Sequence, residues 1–159
     1  MRLLQIIAMA GLSGLAALAT PPAKADSKPT VQAPARRDVH RIVVQVSQND
    51  PVIMNLALNN AENLVKYYES KGEKVQLEFV AYGPGLHMVR NDTSPVKDRL
   101  TSIASSTKSI SFSGCANTMS NQGRAENKDI TLVSEARAVH TGIGRIVELQ
   151  EQGWTYVRP

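Results

Sequence analysis

Cys115 is the residue with the clearest potential for chemistry in this sequence. It is the only cysteine among 159 residues, so it cannot form an internal disulfide or contribute to an all-cysteine zinc site. It follows Gly114 at the end of a short predicted strand, and residues 116–119 are typical of the start of a helix. A thiol at that junction would face backbone N–H groups and the positive end of the helix dipole, which favour the thiolate. The alternative is a buried cysteine that serves only as a small hydrophobic side chain.

The three histidines lack the spacing of a metal site. Neither H-x-x-x-H nor H-E-x-x-H occurs, so zinc hydrolysis is not expected, and no metal or cofactor is predicted. His87 and His140 each follow a predicted strand, and either could act as the base for Cys115. The alternative is that both are solvated loop histidines.

The elements that must position these residues alternate between strand and helix. The β-branched run 41–47 predicts a buried strand, and Asp50 followed by Pro51 predicts a capped helix start, with Gly72 ending that helix. Further strands are predicted over 75–81, 109–113, 136–140 and 154–158, and further helices are predicted to begin at Ser94-Pro95, after Cys115 and after Thr141-Gly142. In the last helix, one side is expected to carry Ile143, Ile146, Val147 and Gln150.

This alternation predicts a single α/β domain with a mainly parallel five-stranded sheet and helices on both faces. Ligands of such sheets bind at the carboxyl ends of the strands, near a topological switch point. The loops 48–51, 82–86, 114–119 and 140–142 should therefore converge around Cys115. The candidate ligand-binding residues in these loops are Asn49, Tyr82, Gly83, Gly85, His87, Asn117, Thr118 and His140. Among them, the N–H groups of Gly83, Gly85 and Asn117 could hold an anion.

The N-terminal segment has the organisation of an export signal. Arg2 precedes an apolar run over 3–19, and Ala23-Lys24-Ala25 forms an A-x-A cleavage pattern. Residues 1–25 are therefore predicted to be a signal peptide cleaved after Ala25, residues 26–39 a flexible linker and residues 40–159 the folded domain. The predicted location is periplasmic or secreted, with no stable membrane anchor after cleavage. An uncleaved anchor is the alternative, although the run is shorter than the ~20 residues of a spanning helix.

The net charge of +4 is mostly a property of this N-terminal segment. Five of the 18 Lys and Arg residues precede residue 41, against two of the 14 Asp and Glu residues, so residues 41–159 carry +1. They contain no basic run with interleaved aromatic residues. Nucleic-acid binding is therefore not expected.

Four short motifs together resemble the DsrE/DsrF-like family, in particular its exported single-domain members. The motifs are Val46-Ser47-Gln48-Asn49-Asp50-Pro51, Val80-Ala81-Tyr82-Gly83-Pro84-Gly85, Cys115-Ala116-Asn117-Thr118-Met119 and Gly153-Trp154-Thr155-Tyr156-Val157-Arg158-Pro159. The resemblance covers residues 40–159. It implies a DsrE/YchN-like parallel α/β fold and homo-oligomers, usually trimers or hexamers.

The resemblance also implies a role for the cysteine. In sulfur-relay members such as the DsrEFH and TusBCD complexes, a cysteine at the end of the third strand accepts sulfur as a persulfide and passes it on. Cys115 stands at the matching place, and Gln122-Gly123-Arg124 resembles the segment that follows that cysteine. The relay proteins are cytoplasmic, so their tRNA-thiolation and sulfite-reductase pathways are not carried over to a chain predicted to be exported.

The sequence thus leads to one leading function and two alternatives. The leading one is an exported sulfur-handling protein, a persulfide carrier through Cys115 with at most sulfurtransferase-like activity, served by a small sulfane compound or by a donor or acceptor protein. The alternatives are a non-catalytic module that binds a small ligand and an oligomeric structural module of the same fold. The observation that would decide most is whether Cys115 is solvent-accessible at the mouth of the four loops, and burial among apolar groups would argue against the carrier.

Overall fold

Five parallel strands form the central sheet in the computed structural model, which describes residues 39–159. They are β1 (Val39–Val46), β2 (Lys74–Ala81), β3 (Ile110–Cys115), β4 (Ala136–Val139) and β5 (Thr155–Val157), arranged in the order β4-β3-β2-β1-β5. Every neighbouring pair is parallel. The predicted signal peptide and nearly all of the predicted linker lie outside the described residues.

Four α-helices connect these strands and confirm the predicted fold class. They are α1 (Pro51–Ser70), α2 (Lys97–Ser106), α3 (Ala116–Glu126) and α4 (Gly142–Glu151), and a 3₁₀ helix covers Gly83–Met88. Within residues 39–159, none of the helices combines the length and the hydrophobicity needed to cross a membrane.

The start of α1 confirms the predicted capping arrangement. Asp50 Oδ1 accepts hydrogen bonds from the N–H groups of Val52 and Ile53, at 2.8 and 3.3 Å, and Pro51 takes the first helical position. These bonds satisfy donors that a helix leaves free at its N-terminus. The helix ends just before Gly72, whose φ of +67° a glycine adopts without steric cost.

Two loops differ from the sequence-based expectation. The glycine loop after β2 continues as the 3₁₀ helix, and α2 begins at Lys97 rather than at Ser94-Pro95. Ser94 Oγ donates to the carbonyl of Met88 and accepts from the N–H of Val96. The serine therefore closes a turn before the helix instead of opening it.

The sheet has a large apolar core on one face and a small one on the other. Helices α1 and α2 and the 3₁₀ helix cover the large core, against which Met119 of α3 also packs. Helix α4 covers the small core, which consists of Val43, Val80, Ile146 and Leu149.

The predicted apolar side of α4 is wrong in part. Ile146 is buried as expected, but Ile143 and Val147 are 55% and 47% exposed, and Leu149 is buried instead. The reason is that Arg145 turns toward the sheet, where it pairs with the buried carboxylate of Glu78. The inward side of the helix therefore follows Arg145, Ile146 and Leu149.

The strand order creates a switch point between β3 and β4. The connections through α1, α2 and α3 each lead to the next strand along the sheet on the large-core face, whereas α4 crosses the other face to reach β5 beside β1. Neighbouring strands β3 and β4 are therefore followed by helices on opposite faces, which is where open α/β sheets form a crevice. Their last residues, Cys115 and Val139, are paired across the two strands.

Candidate functional site

Cys115 lies at the crevice between β3 and β4. It is the last residue of β3 and also the N-cap of α3, with extended backbone angles. Its Sγ accepts a hydrogen bond from the N–H of Thr118 at 3.4 Å. A capping side chain accepts from the first turn of its helix in this way. The thiol therefore faces the N-terminus of α3, as the sequence predicts.

The surroundings of the sulfur favour its ionised form. Only 4% of the surface of Cys115 is exposed, and this burial raises the pKa of the thiol. Hydrogen bonds from the Thr118 hydroxyl and from the backbone N–H groups of Thr118, Gly142 and Asn117 act in the opposite direction. Because these bonds outweigh the burial, the pKa of Cys115 lies below its ordinary value.

Two helices of opposite faces contribute to this environment. Asn117 and Thr118 belong to the first turn of α3, and Gly142 is the first residue of α4. The N-cap of α4, Thr141, makes no side-chain capping bond. The first N–H groups of a helix have no partner within the helix and carry partial positive charge. The thiolate is thus stabilised from both sides of the switch point.

The 3₁₀ helix is fastened to α3 next to the thiol. The N–H of Gly83 donates to Thr118 Oγ1 at 3.1 Å, and Gln122 Nε2 donates to the carbonyl of Gly83 at 3.1 Å. At the other end of the same loop, the N–H of Tyr82 donates to the carbonyl of Val46. The ends of β1 and β2 and the start of α3 are thereby held together.

The loop after β4 joins this group. The N–H of Asn117 donates to the carbonyl of His140 at 3.4 Å. A Cβ atom at Gly142 would lie 2.7 Å from the Cβ of Tyr82, so a glycine is needed there for α4 to begin this close to Tyr82. The structure therefore brings Tyr82, Asn117 and His140 together around Cys115.

The glycines of the loop serve a different purpose from the one expected. The N–H of Gly83 is bonded to Thr118, and the N–H of Gly85 donates to the carbonyl of Tyr82. Neither is available to an anion in this structure, and the backbone N–H that donates to the sulfur is that of Thr118 instead. Gly85 permits a close approach, since a Cβ there would lie 2.3 Å from the carbonyl oxygen of Val46.

Two candidate residues lie away from the thiol's hydrogen-bonding partners. Asn49 is exposed in the loop after β1. His87 contacts Thr93, with 2.7 Å between Nδ1 and Oγ1. A third candidate, His140, reaches the site only through its carbonyl, which accepts from the N–H of Asn117, and its side chain is exposed. Among residues 39–159, no group of three or more His, Cys, Asp or Glu side chains is arranged to hold a metal ion.

The structure contains a buried charged cluster beneath α4 that the sequence did not predict. Glu78 of β2 is 2% exposed and contacts Ser113, Arg137 and Arg145. The sequence pattern does not indicate it, because the alternation of Val75, Leu77 and Phe79 with polar residues predicts that Glu78 faces solvent. A carboxylate in a buried strand requires compensating partners. A cavity of about 210 Å³ lies along the same edge, lined by Arg137, Val139, His140, Thr141, Arg145 and Glu148.

The fold and the site together define a class: a small parallel α/β protein with one ionisable thiol at its switch point. Among solved structures, this chain is similar to the protein of unknown function MTH1491 from Methanobacterium thermoautotrophicum. The two are 30% identical, the TM-score is 0.64, and the match covers 76% of this chain and 99% of that chain. The chain belongs to the same family as MTH1491. It matches no protein-family model and no curated protein.

Proposed function

We propose that this protein handles sulfane sulfur through Cys115, which takes up one sulfur atom as a persulfide. The observation that carries the proposal is the thiol at the β3–β4 switch point, whose pKa is lowered by the Thr118 hydroxyl and by the N–H groups of two helices despite burial. The thiolate is the nucleophilic form of cysteine. A site that stabilises it is suited to attack on a sulfur–sulfur bond.

The uptake step balances without an external oxidant. The Cys115 thiolate attacks the outer sulfur of an anionic sulfane donor such as thiosulfate, and a new sulfur–sulfur bond forms. The bond between the two sulfur atoms of thiosulfate breaks, and sulfite leaves with the electron pair. Cys115 then carries a persulfide anion, which the same N–H groups can stabilise. An acceptor thiolate later takes the outer sulfur and regenerates the Cys115 thiolate.

The burial of the Cys115 thiol restricts the sulfur donor to small molecules. At 4% exposure, Sγ offers little surface to a folded donor protein. The surroundings are polar, however, since Thr118 and three backbone N–H groups act on the sulfur. The thiol is therefore buried rather than solvent-accessible, contrary to the expectation for a carrier, and the proposal rests on the polar partners of the sulfur.

Intact-mass measurement tests the proposal directly. The purified full chain is incubated with thiosulfate or with inorganic polysulfide, and the expected result is a gain of one sulfur atom that a reducing thiol removes. The matched control is Cys115→Ser, which is expected to gain none. Absence of the gain, or an equal gain in Cys115→Ser, would refute the proposal.

The same 4% exposure favours a second candidate, a module that binds a small anion without reacting. Here the N–H groups of Thr118 and Gly142 would hold the ligand, and Cys115 would form the wall. Thermal stabilisation by thiosulfate that survives Cys115→Ser, without any gain of sulfur mass, would favour this candidate over the carrier.

We further propose that the family shared with MTH1491 is the DsrE/DsrF-like family. The four motifs support this assignment, as does the position of Cys115 at the end of the third strand. We also propose export, on the strength of residues 1–25. Export predicts a mature chain in the periplasmic fraction that begins at Asp26, which N-terminal mass mapping would detect.

Assembly into a homo-oligomer is the last part of the proposal. Ile143 and Val147 lie one turn apart on the outer side of α4, and Tyr156 and Val157 are exposed on edge strand β5. Apolar side chains clustered in this way are a common feature of protein–protein contacts. Native mass of the full chain is expected to show an oligomer that Val147→Lys weakens; a monomer at all concentrations would refute it.

A further inference from the structure

A buried carboxylate joins four elements of the fold beneath α4. Glu78 Oε1 accepts from Ser113 Oγ at 2.7 Å and from Arg145 Nε at 2.9 Å. Its Oε2 accepts from Arg145 Nη2 at 2.8 Å and from Arg137 Nη2 at 2.9 Å. One side chain of β2 is thereby bonded to β3, β4 and α4. Burial raises the pKa of Glu78, but its bonds to Arg145, Ser113 and Arg137 lower it further, so the group is ionised.

Each partner of Glu78 lies close in sequence to a residue at the thiol. Ser113 is two residues before Cys115 on the same face of β3, and Arg137 is two residues before Val139, the strand partner of Cys115. Arg145 lies in the first turn of α4, where its N–H donates to the carbonyl of Thr141 at 3.0 Å. The cluster therefore contacts every element that borders the thiol on this face.

The apolar core beneath α4 is small. Its buried residues are Val43 and Val80 of the sheet and Ile146 and Leu149 of the helix, with the partly buried Tyr82 and Trp154 packed against them. The opposite core contains more than twenty buried residues. The two-pronged contact of Arg145 with Glu78 is also directional, which aliphatic contacts are not. It fixes where the first turn of α4 lies relative to the sheet.

A buried ion pair is not explained by stability alone. Desolvating two charges costs free energy that their attraction only partly returns, and apolar side chains of similar volume often stabilise a fold as well or better. The pair in this protein instead fixes a geometry, since the helix end that it positions begins three residues after Val139, the strand partner of Cys115.

We propose that Glu78 and Arg145 are positioning residues for Cys115: their ion pair fixes the first turn of α4 at the crevice between β3 and β4, where the strand partner of Cys115 leads into that helix. The inference deepens the proposed function, because it names what sets the reactivity of the same thiol. Neither side chain takes part in the sulfur transfer itself.

The test is a double variant, Glu78→Leu with Arg145→Met, that removes one negative and one positive charge. Because the net charge is unchanged, the direct field on the thiol changes little, and the lost contact dominates. The thiolate absorbance of Cys115 in the ultraviolet is followed against pH. Loss of one hydrogen bond to a charged acceptor is expected to lower the acid dissociation constant of the thiol about tenfold. Other titratable groups on the bordering elements, including Tyr82, His87, Arg124, Arg137, His140 and Glu148, are kept in every variant.

A second ion pair supplies the matched control. Glu62 of α1 and Arg99 of α2 are joined at 2.7 Å on the opposite face of the sheet. The variant Glu62→Leu with Arg99→Met is expected to leave the titration of Cys115 unchanged. An unchanged titration in the Glu78→Leu, Arg145→Met variant, or an equal change in the control, would overturn the proposal.

The single variant Arg145→Lys tests the same proposal if the double variant does not fold. Lysine keeps the charge but cannot make the two-pronged contact, so a raised titration midpoint is expected. A wild-type midpoint in a folded Arg145→Lys variant would mean that charge alone matters, which would overturn positioning. These readouts involve no sulfur donor. Failure of persulfide formation and failure of the positioning proposal are therefore distinguishable.

Discussion

Replacing Thr118 with valine tests whether the Thr118 hydroxyl lowers the pKa of Cys115. Thr118 acts on Cys115 twice, through its backbone N–H at 3.4 Å and through its hydroxyl. Valine keeps the branched shape and the backbone donor and removes only the hydroxyl. The substitution also removes the acceptor of the Gly83 N–H, which donates to Thr118 Oγ1 at 3.1 Å.

The size of the effect follows from the bonds that are lost. A hydrogen bond to a charged group contributes about 1.5–3 kcal/mol, and the lower end applies because sulfur is a diffuse acceptor and the backbone donors remain. About 1.4 kcal/mol lowers the thiolate fraction tenfold at a pH below the thiol pKa. A more basic thiolate is also a better nucleophile, with a Brønsted coefficient of about 0.4–0.5. The net slowing of alkylation at low pH is therefore about three- to fourfold, and the plateau rate at high pH rises about threefold.

Alkylation of the full chain with iodoacetamide measures both effects. Cys115 is the sole cysteine of the sequence, so the reaction reports on this thiol alone. The rate constant is followed by intact mass across the pH range that spans the thiol titration. Thr118→Ser is the matched control, since it retains the hydroxyl and should keep the wild-type midpoint.

The pH profile separates this reasoning from a general loosening of the site. A loosened site would speed alkylation at every pH, because the buried sulfur would become more accessible. The hydrogen-bond account requires slower reaction at low pH together with faster reaction at high pH. A Thr118→Val profile with the wild-type midpoint would refute it, as would a rate that increases throughout.

Three further predictions concern stability. Arg90→Met should lower the free energy of unfolding in urea more than Arg99→Met does, because the Arg90 side chain is fully buried and that of Arg99 is 32% exposed, while their carboxylate partners are similarly exposed; Arg99→Met should cost less than about 1 kcal/mol, and equal losses would contradict the distinction. Gly85→Ala should cost about 3 kcal/mol in the same assay, since its Cβ would meet the backbone carbonyl of Val46 at 2.3 Å; a wild-type midpoint would show that the approach is not so close. Because the pKa of Cys115 in the folded chain lies below its ordinary value of 9.0, ionisation of the thiol stabilises the fold; this contribution is complete above pH 9.0 and is lost as the pH falls through the lowered pKa. Thermal melts of wild type and Cys115→Ser should therefore converge at low pH, and parallel curves would contradict the lowered pKa.

The elements that bracket the site were predictable because local signals agree with the global fold. Asp50 and Pro51 specify the start of α1 through capping and backbone geometry. The β-branched run of β1 indicates a buried strand, and the alternation of β2 through Leu77 and Phe79 indicates a second strand. Cys115 at a strand-to-helix junction follows from the same reasoning, because the residue after a strand and before a helix caps that helix.

The donors around the sulfur were harder to predict, because they depend on contacts between distant segments. The N–H groups of Gly83 and Gly85 are available in the sequence pattern, but Thr118 and Tyr82 occupy them in the structure. Gly142 takes their place because α4 begins across the switch point from Cys115. No local pattern around residue 142 indicates which strand end it approaches.

The orientation of α4 has a similar cause. Hydrophobicity alone favours Ile143 and Val147 as inward residues, yet both face outward in the single chain. Arg145 decides the rotation, because losing its two hydrogen bonds to the buried Glu78 carboxylate would cost more than exposing two aliphatic side chains. A buried charged residue of a strand can therefore set the rotation of the helix that covers it.

The same rotation links the two surfaces of α4. Turning Arg145 toward Glu78 presents the start of the helix to Cys115, and it necessarily turns Ile143 and Val147 away from the sheet. An apolar outer surface on α4 is thus a consequence of building the thiol site. If copies of the chain cover that surface, the contact between them would also press α4 onto the sheet. Assembly and the reactivity of Cys115 would then be coupled through one helix, with Glu78 and Arg145 at its inner side.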